Sequence, residues 1–72
     1  MNEMIVEKFV GIDVSKSTLD VCIEPAVQTL HVAYDEAGIK QIAVRLKEAN
    51  PTLIVMEATG GLEVRIATEL AS

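Results

Sequence analysis

The sequence predicts an α/β fold with a mixed sheet, in the order β-β-β-α-β-α and with the fourth strand parallel to the first. Three observations carry this. Phe9-Val10-Gly11-Ile12-Asp13-Val14 is an apolar run interrupted by one acid, and Leu53-Ile54-Val55-Met56 is a second such run ending in Glu57. Thr18 to Glu24 and Val27 to Tyr34 alternate apolar and polar residues, which is the period of a strand. Ile39, Ile42, Ala43 and Leu46 then recur at the i, i+3, i+4, i+7 spacing of one helix face.

Met1 to Glu7 carries two acids and little pattern and reads as a lead-in. The first strand runs from about Lys8 to Val14. Ser15-Lys16-Ser17 is a short polar turn, so the second strand, Thr18 to Glu24, folds back as an antiparallel hairpin partner with Leu19, Val21 and Ile23 on its core face. Pro25 punctuates the chain before the third strand, where Leu30, Val32 and Tyr34 share one face and Thr29, His31 and Ala33 the other. Asp35 is placed to cap the first helix, because its side chain can accept from free backbone N–H groups of the first turn. Asn50-Pro51 ends that helix, since proline disfavours helix in the residue before it.

The fourth strand, Thr52 to Glu57, is apolar without alternation, the pattern of a strand covered on both faces. Ala58-Thr59-Gly60-Gly61 makes a tight turn. Leu62 to Ala71 forms a second helix with Leu62, Ile66 and Leu70 on one stripe and Thr59 as a candidate cap. A right-handed crossover through the first helix lays strand four parallel to strand one.

The chain has 72 residues, enough for one small domain or part of a larger one. Half of them are hydrophobic and the mean hydropathy is +0.35, an excess that predicts apolar surface meant for contact outside the chain and therefore self-association. The net charge of −5 argues against this segment as the main phosphate-gripping surface of a nucleic-acid protein, and leaves open an acidic catalytic module whose DNA grip sits on another domain. Aromatics make up 3%, too few for base-stacking platforms. Cys22 is the single cysteine, so no internal disulfide forms. No apolar run approaches the ~20 residues of a membrane span, and the positive start of a signal peptide is missing, so a cytoplasmic location is expected.

The chemistry rests on the two acids. A carboxylate set in an apolar strand is costly unless a cation or several donors meet it. If strands one and four are neighbours, Asp13 and Glu57 end adjacent strands ~4.8 Å apart, where their carboxylates can share a divalent cation. The order of elements is that of the start of an RNase H-like fold. The competing reading of Asp13 is a turn or capping aspartate, and that of Glu57 a solvated strand end. Asp20 lies on the polar face of strand two and reads as solvent-facing. Ser15 and Lys16 read first as hairpin residues, with phosphate contact as the sharper alternative. Gly60-Gly61 before a helix is either a tight turn or an anion-binding one. His31 and Cys22 lack spaced partners for zinc, and Ser15 and Ser17 have no nearby base.

Val10-Gly11-Ile12-Asp13-Val14-Ser15-Lys16, Leu19-Asp20-Val21, Asp35-Glu36-Ala37-Gly38-Ile39 and Met56-Glu57-Ala58-Thr59-Gly60-Gly61-Leu62-Glu63 resemble the N-terminal part of the DEDD-type insertion-sequence transposases. These form the IS-one-ten family, related to the pilin-gene-inverting recombinases. The resemblance spans nearly the whole chain and is most specific from Met56 to Gly61. It implies a RuvC-like domain of RNase H fold, in which Asp13 and Glu57 are the first two of four acids binding Mg2+ or Mn2+. The last two aspartates and a separate serine-bearing domain have no counterpart here, so residues 1–72 are expected to be a partial catalytic domain, inactive alone. Leu62 stands where the family commonly has an aromatic residue. The resemblance also implies DNA as the substrate of the whole protein, with guidance from an RNA. Two other functions compete: a fragment of a sugar kinase or actin-like ATP-binding domain, whose hairpin after the acid would cradle phosphates, and a non-catalytic association module.

Overall fold

The computed structural model describes residues 7–71; the lead-in read at the start of the chain lies, Glu7 apart, outside them. Six elements follow the expected order: β1 (Phe9–Val14), β2 (Thr18–Glu24), β3 (Gln28–Ala33), α1 (Glu36–Ala49), β4 (Leu53–Glu57) and α2 (Val64–Ala71). They form one four-stranded sheet in the order β3-β2-β1-β4, with β1 antiparallel to β2, β2 antiparallel to β3 and β1 parallel to β4. The mixed sheet and the parallel pairing of the first and fourth strands are as the sequence predicts.

Both helices cover the same face of this sheet. Val10, Ile12 and Val14 of β1 and Leu19, Val21 and Ile23 of β2 point into the core, where they meet Ile39, Ile42 and Leu46 of α1 and Ile66 of α2. Leu30, Val32, Tyr34, Ile54, Met56, Leu62 and Leu70 pack around this cluster from its margins. No helix among the described residues is long and apolar enough to cross a membrane.

Caps and close approaches fix the helices. The Asp35 side chain accepts from the Gly38 N–H at 2.8 Å, as its position before an apolar-periodic run predicts. Asn50 closes α1 in the left-handed region, φ 50°, its N–H donating to the Leu46 carbonyl at 2.9 Å. Gly38 presses the first turn of α1 against the end of β3: a Cβ there would lie 1.9 Å from the Ala33 carbonyl oxygen. At the other end of the crossover the Thr52 N–H donates to the Lys8 carbonyl at 2.7 Å, extending the parallel seam below β4.

Two expectations are corrected. β4 is not covered on both faces: Ile54 and Met56 are half-buried toward the helices, whereas Leu53 and Val55 are 53% and 51% exposed on the opposite side. A continuous apolar run hides this alternation, because both sets of residues are hydrophobic. The second helix starts at Val64 rather than Leu62, beyond the reach of Thr59 as a cap. Thr59 instead accepts through its carbonyl from the Leu62 N–H in a turn, and Gly60 and Gly61 carry φ of 62° and 76°. Those angles account for the glycine pair, since L side chains rarely adopt them.

Candidate functional site

The sheet register assembles the candidate site. Asp13 and Glu57 are the last paired residues of the parallel β1–β4 seam, opposite one another in register. Strand spacing sets them ~4.8 Å apart at the backbone, and residues of one register row project to the same side of the sheet. The fold therefore brings together the two acids that the sequence singles out. Both are exposed.

Asp13 consequently escapes the desolvation expected for an acid inside an apolar strand. The β1 side chains alternate strictly, with Val10, Ile12 and Val14 buried and Phe9, Gly11 and Asp13 on the uncovered face. Its apolar neighbours in sequence are thus not its neighbours in space.

The acidic row is longer than the sequence reading held. Asp13 also pairs in register with Asp20 of β2, and Asp20 with His31 of β3. Glu57, Asp13, Asp20 and His31 run in one line across all four strands. His31 Nδ1 contacts Asp20 Oδ1, both side chains remaining largely exposed. Asp20 is solvent-facing as expected, but its place beside Asp13 escapes local sequence patterns, because register depends on turn lengths and on the crossover. Among the described residues, no group of three or more His, Cys, Asp or Glu is placed to hold one metal ion together. The candidate centre is a two-carboxylate site.

Two depressions meet at this pair. One, of about 580 Å³, lies on the uncovered sheet face and is lined by Gly11, Cys22, Val55, Asp20 and His31 as well as the two acids. The other, of about 840 Å³, lies beyond the carboxyl ends of β1 and β4, between the Ser15-Lys16 turn and the Ala58–Gly60 loop. Asp13 and Glu57 line both. The Ser15 side chain is occupied locally: its Oγ accepts from the Thr18 N–H at 3.1 Å and lies 2.5 Å from Thr18 Oγ1. This supports the hairpin role of Ser15 over a phosphate contact. Lys16 is exposed and lines the second depression.

The β4–α2 loop beside the site is anchored through Tyr34. Its hydroxyl donates to the Leu62 carbonyl and accepts from the Ile66 N–H at 3.4 Å, and Arg65 lies over its ring at 5.9 Å from the centroid. The sequence placed Tyr34 only on an apolar strand face; its hydroxyl's partners lie 28 and 32 residues away in the chain. A comparison with known protein families finds no match for this chain, and a comparison with curated proteins finds none.

Proposed function

We propose that this chain is the opening part of an RNase H-like catalytic domain of the RuvC type, from a DEDD-type insertion-sequence transposase. Asp13 and Glu57 are then the first two ligands of its divalent-metal site. The observation that carries the reading is the in-register placement of these two acids at the carboxyl ends of adjacent parallel strands. The quoted motifs support it from the sequence side.

The donor set fits the cation. Mg2+ and Mn2+ take oxygen ligands, and Mg2+ is commonly held by one or two carboxylates while water and substrate phosphates fill its remaining positions. Two exposed carboxylates opening on two depressions leave room for both. When bound, the metal neutralises charge on a phosphodiester and activates the attacking oxygen. The chain's own residues orient and hold. Asp13 and Glu57 fix the cation's place on the rigid sheet, and Lys16 offers a point charge to a DNA phosphate at the mouth of the second depression. Cleavage and transfer of DNA, recognition of a guide RNA, homo-oligomerisation and a cytoplasmic site of action belong to this reading of the whole protein. The two-carboxylate set accounts for an expected inactivity of the chain by itself.

Mn2+ titration followed by amide NMR tests the proposal. Paramagnetic broadening is expected to centre on Asp13 and Glu57 and to vanish in the Asp13→Asn/Glu57→Gln variant. Broadening centred elsewhere, or unchanged in that variant at millimolar Mn2+, would refute it.

A further inference from the structure

The uncovered sheet face has a graded chemistry. Its lower row joins Leu53, Phe9 and Glu24, its middle row joins Val55, Gly11, Cys22 and Thr29, and its upper row is the line of Glu57, Asp13, Asp20 and His31. Phe9, Leu53 and Val55 are 42%, 53% and 51% exposed, while the opposite face of the same strands is packed under two helices. Along β1 and β4 the face thus runs from apolar to acidic over about 13 Å of strand, four residues at ~3.3 Å each, while Glu24 on β2 adds a carboxylate beside Phe9.

Gly11 sits at the centre of that face, on an inner strand, and nothing within the described residues demands a glycine there. Its φ is not among the positive ones, and a Cβ built on it meets no heavy atom within 4 Å. A glycine inside a strand, where it forgoes packing, often marks the close approach of a ligand or another backbone. Here it leaves a dip between Cys22 and Val55, with apolar residues on one side and carboxylates on the other.

We propose that this face docks an amphipathic helix bearing lysine or arginine beside its apolar spine. Both edges of β1 are already paired, with β2 and β4, so an occupant of the face engages it through side chains rather than by adding a strand. An apolar side chain seated over Gly11 and another toward Phe9 and Leu53 match successive helical turns. Cations one turn further on reach Asp13, Asp20 and Glu57. Charge decides the class of partner: a second copy of this chain carries the same net charge of −5 and the same acidic row. A basic helix complements them.

The test uses the isotopically labelled chain and a synthetic 18-residue Leu/Lys amphipathic peptide, with a Leu/Glu peptide of the same pattern as its control. Saturable amide shifts are expected at Gly11, Cys22 and Val55 with the Leu/Lys peptide alone. Gly11→Leu fills the dip, its Cβ meeting no heavy atom within 4 Å, and should weaken binding at least tenfold. Asp20→Asn removes one charge of the row while leaving the dip intact, and should weaken binding several-fold at low salt. Equal binding of the Leu/Glu peptide, absence of binding by the Leu/Lys peptide, or shifts confined to other surfaces would each overturn the proposal. So would undiminished affinity in Gly11→Leu or, should that variant fail to fold, in Asp20→Asn.

Discussion

Asp13 has a like charge on each side of it across the sheet, Glu57 on β4 and Asp20 on β2. Like charges directly opposite on neighbouring strands are destabilising, and the row holds no lysine or arginine: His31 contacts Asp20 rather than Asp13. The candidate metal site is therefore a local strain on the fold, and a cation bound there would relieve it. Asp13→Asn should raise the stability of the metal-free chain by about 0.5 kcal/mol in low salt, a gain that shrinks in molar salt where the repulsion is screened. Urea denaturation at two ionic strengths measures this, and a loss of stability in low salt would show that Asp13 has a structural role instead. Gly38 poses the opposite case, a residue whose smallness the fold requires. A Cβ at Gly38 would lie 1.9 Å from a backbone oxygen that cannot swing aside, so Gly38→Ala forces α1 away from the end of β3. The same urea experiment should register a loss of about 3 kcal/mol, at the upper end of overpacking costs. An alanine tolerated within about 0.5 kcal/mol, the range of neutral surface substitutions, would mean that the helix start yields easily.

At the level of elements, the strands and α1 could be read from the sequence because their burial follows a local period. Val10, Ile12, Val14 and Leu19, Val21, Ile23 alternate, while Ile39, Ile42, Ala43 and Leu46 follow the helix, and both patterns survive in the packed core. Asp35 was equally legible as a cap, since caps act within one turn, whereas at Asn50 the sequence marked the helix end through Pro51 and not the left-handed cap that closes it. What local pattern could not supply was the second partner of each surface. Leu53 and Val55 look like core residues in sequence because Ile54 and Met56 beside them are core residues. The Asp20–His31 contact and the Tyr34 anchor join residues that only the assembled sheet brings together. Tyr34 makes the last point testable. Its hydroxyl holds the Leu62 carbonyl and the Ile66 N–H, and so ties the start of α2, and the loop beside Glu57, to the end of β3. Tyr34→Phe keeps the ring and removes that tie, at a cost of about 1 kcal/mol. Hydrogen exchange should accelerate in α2 far more than in β1 and β2; uniform acceleration would mean that the hydroxyl supports the whole fold rather than this loop.

At the scale of the molecule, the decisive asymmetry among the described residues is a sheet with one face filled and the other bare, bounded on one side by β4. That strand is short and, among the described residues, lies at the sheet edge with Leu53 and Val55 exposed beside an unpaired backbone edge. An edge of this kind is a template for pairing with another chain, and the usual deterrent, a charged side chain, is missing before Glu57. A net charge of −5 opposes association instead, acting over a Debye length of about 10 Å at 0.1 M salt. The two effects separate by ionic strength. Sedimentation should give a monomer at low salt and low concentration, and a mass that rises with concentration once salt screens the charge. Val55→Lys places a cation on β4 without touching the core and should restore the monomer at high salt. Leu53→Lys should act likewise, because it borders the same unpaired edge. Val44, 56% exposed on the outer surface of α1, supplies the control: Val44→Lys alters the net charge equally and should leave the association unchanged. A Val44→Lys effect as large as that of Val55→Lys would show that the association does not run through β4 and remove that strand from the account.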